Sequence, residues 1–223
     1  MSNAQRLTTT NQIMRTIIKD HSSYFVYYAL FAFLGLFYNK TLPQQDAILF
    51  FSDNRSPLGD AFFAFCTHLG EFAPYIVFTI YFLIRNWRMA FFPSVIAILV
   101  LAVSEVTKVY FKHPRPVTEF EAHGMMQYVH LVPGVTVLRG FASFPSGHTI
   151  SAFAIYSFMC FMIAKNDLAQ LFFFLLAVLV GVSRIYLVEH FPEDVLFGSF
   201  LGVMIAMVVY YFYLYFSIKQ TIV

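Results

Sequence analysis

Six apolar stretches divide the chain, near 22–39, 71–85, 89–111, 147–164, 168–187 and 194–217. Each approaches or reaches the roughly 20 residues that an α-helix needs to cross the hydrocarbon core of a bilayer. The intervening segment 44–69 mixes Phe50, Phe51, Phe62 and Phe63 with Asp46, Asp53 and Asp60. It is too polar to span and predicts short helices at the interface. Segment 112–146 contains Pro114, Pro116, Pro133, Gly134 and Gly140, which predicts an irregular cap with one short helix. The first 21 residues are polar and lack a signal-peptide cleavage pattern, so the apolar stretch that follows is expected to remain as an anchor. The fold expected is all-α: one domain over 1–223, an integral membrane bundle of six transmembrane helices with an extracytoplasmic cap loop at 112–146 and a cytoplasmic N-terminus at 1–21.

Composition agrees. Hydrophobic residues make up 59% and charged residues 12%, against roughly 45–50% and 25% in soluble domains. The 29 Phe suit helices solvated by lipid tails better than a surface in water. A net charge of +2 with Lys and Arg dispersed argues against nucleic acid as a partner. Cys66 and Cys160 lie in separate apolar segments without ligand spacing and read as packing residues.

Basic residues set the expected orientation. Arg6, Arg15, Lys19, Arg85, Arg88, Lys165 and Lys219 fall on the side of the N-terminus, and the other seven of the 14 fall opposite. Three of those seven, Lys108, Arg115 and Arg184, belong to clusters with a chemical reason to be where they are. Setting them aside favours cytoplasmic termini and places loops 40–70, 112–146 and 188–193 outside.

The chemistry concentrates in three clusters at the outer ends of the expected helices. One is Lys108 followed by Arg115-Pro116, where a helix must stop at the proline-flanked arginine. Another is Pro145-Ser146-Gly147-His148, opening the fourth span. In the third, Ser183-Arg184 is followed by His190 and then Asp194. Cations at membrane depth need a counter-charge, and the nearby acids fall short: Glu105 pairs with Lys108 and Asp194 serves His190. A polyanion such as phosphate is the expected missing partner. The amides at the Ser146-Gly147 helix start add a second anion-binding device. Four residues separate His190 from Asp194, which puts a carboxylate under the imidazole, fixes its tautomer and leaves Nε2 free to attack.

These clusters resemble the signature of the type 2 phosphatidic acid phosphatase superfamily, which also contains glucose-6-phosphatase and the vanadium haloperoxidases. Lys108, Arg115, Pro116, Pro145, Ser146, Gly147, His148, Ser183, Arg184, His190 and Asp194 fill its motif positions. The resemblance implies His190 as nucleophile, His148 as general acid and Asp194 as the residue orienting His190. It implies Lys108, Arg115, Ser146, Gly147 and Arg184 as ligands of the phosphoryl oxygens, with no metal and no cofactor. The expected reaction is removal of phosphate from a lipid monoester or diphosphate through a phosphohistidine. The expected location is the bacterial inner membrane, with the site facing the periplasm or exterior.

Lys112 and His113 read as interface anchors, His68, His123 and His130 as loop residues, and Asp60 and Glu71 as structural. A vanadate-dependent haloperoxidase is disfavoured by the short, membrane-spanning chain, and a non-catalytic lipid binder by the complete catalytic set. A phosphotransferase using the same site stays open. So do the oligomeric state and the lipid, whether phosphatidic acid, phosphatidylglycerol phosphate, undecaprenyl diphosphate or a lipid A phosphate.

Overall fold

The computed structural model describes residues 3–221, with side chains over 10–217, so Met1, Ser2, Ile222, Val223 and the side chains of Arg6 and Lys219 lie outside it. The described residues form ten α-helices: α1 Asn3–Asp20, α2 Ser22–Thr41, α3 Gln44–Asp53, α4 Pro57–His68, α5 Phe72–Asn86, α6 Phe92–Phe111, α7 Pro116–Ala122, α8 Gly147–Ile163, α9 Asp167–Tyr186 and α10 Pro192–Thr221. The six apolar stretches become α2, α5, α6, α8, α9 and α10, and segment 44–69 becomes α3 and α4. The polar N-terminus, given no structure by its pattern, is helical, with Ile13 and Ile17 buried.

Length and composition support three to five membrane spans, fewer than the six expected. Phe92–Ala122, Asp167–Tyr186 and Pro192–Ser217 qualify alone. Two more candidates are bent pairs, α2 with α3 at 100° and α4 with the Phe72–Met89 segment at 53°. The stretch left out is α8, with only 17 residues, and α2 and α5 qualify only together with α3 and α4.

Helix α8 is the axis of the bundle. Its residues from Thr149 to Phe161 are all buried, and α10, α9, α6 and α5 pack around it. Helix α10 approaches closely because Gly202 has no side chain: a Cβ there would lie 2.6 Å from both the Ile150 carbonyl oxygen and the Phe153 Cβ. Small residues at such crossings are how apolar helices pack where water supplies no driving force. Phe33, Ile84 and Leu101, at 65%, 78% and 64% exposure, form part of an outward apolar belt suited to lipid.

Local signals set the helix ends. Ser56 caps α4, accepting from the Gly59 amide at 3.1 Å, and Pro57 occupies its first turn. Asn166 caps α9 through the Ala169 amide at 2.8 Å. Helix α6 ends where Lys112 turns left-handed at φ 47. The 112–146 segment holds α7 and a single 3₁₀ turn, Met126–Tyr128. It is tied down by Arg55, which forks onto Asp60 at 3.0 and 2.7 Å and donates to the His130 carbonyl at 2.6 Å. The Tyr186 hydroxyl donates to the same Asp60 at 2.7 Å, linking the α3–α4 turn to the end of α9. Cys66 and Cys160 are free thiols buried in the packing.

Candidate active site

The three clusters converge at the end of the bundle where α8 begins. Ser143 donates an amide hydrogen bond to the His113 carbonyl at 3.0 Å, and the Arg115 amide donates to the Gly140 carbonyl at 2.8 Å. The two ends of the cap segment are thereby held side by side. The Ser146 amide reaches the Asp194 carbonyl at 3.1 Å, joining the start of α8 to the start of α10.

His190 follows a tight turn off α9. The amides of Glu189 and His190 both donate to the Arg184 carbonyl, at 3.0 and 3.2 Å, and Val188 sits at φ 59. A β-branched residue in that region is strained by about 1–3 kcal/mol. The strain is held beside the expected nucleophile. His190 Nδ1 lies 3.2 Å from Asp194 Oδ2, the geometry expected from their spacing. That oxygen also accepts from the Ser143 hydroxyl at 2.5 Å and the Phe191 amide at 2.9 Å. Asp194 is fully buried and His190 is 2% exposed. Burial pushes the His190 imidazole down to about 4 against the upward pull of Asp194, so the ring is neutral near pH 7. With Nδ1–H bonded to the carboxylate, Nε2 carries the lone pair.

The expected lack of counter-charge is corrected by Glu189. Its buried carboxylate takes a hydrogen bond from Arg115 at 2.6 Å, lies 3.5 Å from Arg184 and accepts from the Leu138 amide at 3.2 Å. Arg184 also donates to Thr67 Oγ1 at 2.5 Å, while its Nε is buried with no partner among the described residues. Two buried guanidiniums thus share one carboxylate, an excess of one positive charge, which is smaller than the motifs alone imply.

Around α8, Lys108 Nζ lies 3.5 Å from Glu105 and would lie 3.6 Å from a Cβ on Gly147, so it overhangs the helix start. His148 is about one-third exposed, and the charges of Arg184, His190, Lys108 and Arg115 act on it. The first-turn amides of Gly147 and His148 have no intrahelical acceptor. Ser146 differs from expectation: its buried hydroxyl accepts from Thr149 Oγ1 at 2.9 Å and from the Thr149 amide at 3.4 Å, so it caps the helix.

The sequence reading missed Glu189, Ser143, Thr67 and Glu71. Glu71, read as structural, lies 3.5 Å from His148 Nε2 and 3.1 Å from His68 Nδ1. Glu189 had one available signal, its position beside His190 inside a cationic motif. The partners of the others come from distant segments. His113, read as an anchor, stands 3.3 Å from Glu193 and 4.0 Å from Asp194. These three each offer one ligand atom within 4.8 Å of the others and could hold a metal ion, although Asp194 is already engaged with His190. Below His148 a groove of about 340 Å³ runs between α5, α6 and α8, with Glu71, Glu105 and Lys108 at its mouth.

The family model described as the PAP2 superfamily matches residues 89–218, which includes every one of these motif residues. The chain belongs to the PAP2 superfamily. Among solved structures it is similar to LpxE of Aquifex aeolicus, with a TM-score of 0.60 and 27% identity, covering 74% of this chain and 92% of that one. It is also similar to the transmembrane PAP2-type phosphatidylglycerolphosphate phosphatase of Bacillus subtilis, with a TM-score of 0.56 and 25% identity over 86% of this chain and 95% of that one. The protein is accordingly a multi-pass, all-α membrane protein. Phosphatidylglycerophosphatase B of Bacillus subtilis (strain 168) is 36% identical over 75 residues, 30% of this chain and 37% of that protein. Undecaprenyl-diphosphatase BcrC of the same organism is 32% identical over 107 residues, 48% of each chain. These alignments span less than half the length of either relative.

Proposed function

We propose that the protein is a metal-independent lipid phosphatase acting through a phosphohistidine. The observation that carries this reading is a buried, neutral His190, oriented by Asp194, beside two buried guanidiniums and an open helix start. Nε2 of His190 attacks phosphorus in line as the bond to the leaving oxygen breaks. Arg115, Arg184, Lys108 and the amides of Gly147 and His148 neutralise the equatorial oxygens, and Ser146 enters through the helix start that it caps. His148, on the groove side, protonates the departing oxygen. Water deprotonated by His148 then attacks the phosphohistidine and releases phosphate, returning His190 neutral and His148 protonated.

The groove supports a lipid alcohol as leaving group, since Phe72, Ala97, Val100 and Leu101 give it a largely apolar lining. The names of the curated relatives bring phosphatidylglycerophosphate and undecaprenyl diphosphate into the candidate set. With α8 taken as a sixth span, the basic-residue count supports cytoplasmic termini and the site on the outer face of a bacterial inner membrane. A cysteine at Gly124 should react with an impermeant thiol reagent in intact cells and one at Asn86 should not, and the reverse would overturn the orientation.

Phosphate release from a panel of lipid phosphates in detergent tests the activity. Turnover should persist in EDTA and be inhibited by vanadate, which mimics five-coordinate phosphorus. Loss of turnover on chelation with recovery in Mg²⁺ would refute the mechanism.

A further inference from the structure

We propose that Glu71 makes this site selective for a lipid phosphate monoester over a lipid diphosphate. The inference rests on the phosphatase reading above and deepens it. The two sides of the site are charged differently. On the inner side Arg115 and Arg184 face a single carboxylate, Glu189, which leaves positive charge for the phosphoryl group that is transferred. On the groove side Lys108 stands 3.5 Å from Glu105, and His148 stands 3.5 Å from Glu71. Lys108 there already has its own carboxylate, and Glu71 faces the imidazole edge of His148. His68, at 3.1 Å from the second oxygen of Glu71, is 65% exposed and lies beyond it.

His148 marks where the leaving oxygen departs, so the leaving group occupies this side. An alcohol carries no charge once protonated and continues into apolar lining. A leaving phosphate would place its negative charge beside Glu71 and Glu105 with no spare cation, and like charges so juxtaposed discriminate against the ligand that brings them.

The position of Glu71 is enforced. A Cβ on the preceding Gly70 would lie 2.6 Å from Val180 Cγ1 and 3.0 Å from the His148 carbonyl oxygen, so only glycine lets the α4–α5 turn press against α8. Glu71 is therefore a positioning and specificity residue, held next to the general acid by backbone packing.

Farnesyl phosphate and farnesyl diphosphate share one tail and isolate the head group. With the full-length protein in detergent, kcat/KM should favour the monophosphate by about tenfold or more, although the diphosphate is the more reactive compound. Glu71→Gln should narrow that ratio by about tenfold, through a lower KM for the diphosphate. Glu71→Asp, which keeps the charge, should retain the wild-type ratio. A wild-type preference for the diphosphate would overturn the proposal. So would equal losses on both substrates in Glu71→Gln, which would make Glu71 a structural residue. Absence of phosphate release from either compound and from the lipid panel would refute the phosphatase reading itself.

Discussion

The inner and outer walls of the site are built on opposite plans. Arg115, Arg184, Glu189, His190 and Asp194 are each less than one-tenth exposed and bonded to several elements at once. His148, Lys108, Glu71 and Glu105 are partly or largely open and held by single side-chain contacts, apart from Glu71, which meets both His148 and His68. The difference separates two tasks. In the proposed mechanism the inner wall, with Lys108 reaching over from the outer one, grips the phosphoryl group and can be rigid, whereas the wall that meets the leaving group must admit a lipid and release it.

The largest effect expected on the inner wall is from His190→Ala, which removes the nucleophile and should abolish turnover of every substrate and all phosphoenzyme in rapid-quench labelling. Asp194→Asn should follow, at roughly 10²–10⁴-fold in kcat, because it loses the acceptor that fixes the His190 tautomer. On the outer wall, His148→Ala should cost roughly 10²–10⁴-fold on phosphatidic acid but far less on nitrophenyl phosphate, whose leaving group needs no proton. Equal fractional losses, with chemistry rate-limiting, would erase the distinction between the walls.

Glu189→Gln should lower thermal stability by about 3 kcal/mol, since two buried cations lose their shared partner. Vanadate should then raise the melting temperature more in the variant than in the wild type, because the ligand replaces the missing charge. The last effect concerns pH. The unfolded chain takes up a proton at His190 near 6.5, and the folded chain only near 4. Stability should therefore fall as pH drops from about 6.5 to 4 and lose nothing more from this group below that. His190→Gln should show a shallower fall in melting temperature over that window.

The outer wall was harder to foresee from the sequence than the helices were. A lipid environment forces backbone groups to pair within each span, so the stretch 147–164 returned as Gly147–Ile163 and 168–187 as Asp167–Tyr186. His190 and Asp194 were legible because both lie within one turn, where spacing alone sets geometry. Glu71 meets His148 only through the packing of Gly70 on α8, and Thr67 meets Arg184 across 117 positions, so no local pattern announces either. Ile13 and Ile17 were too sparse in a polar stretch to reveal α1, which gains its partners from α10. The cap segment was recognised by its prolines, but its anchor, Arg55 with Asp60, Tyr186 and the His130 carbonyl, joins three segments separated in the chain.

The 17 residues of α8 reach about 25 Å at 1.5 Å each, short of a hydrocarbon core of about 30 Å. If α8 crosses the bilayer with Lys165, Asn166 and Asp167 at one surface, the opposite end, where His148 stands, lies several ångströms beneath the other. The phosphate of the proposed reaction would then sink below the plane of its neighbours, or the bilayer would thin locally around the protein. Membrane thickness becomes a reactant in effect: lipids with shorter tails bring the head-group layer down to the histidines, and thicker sterol-like environments lift it away.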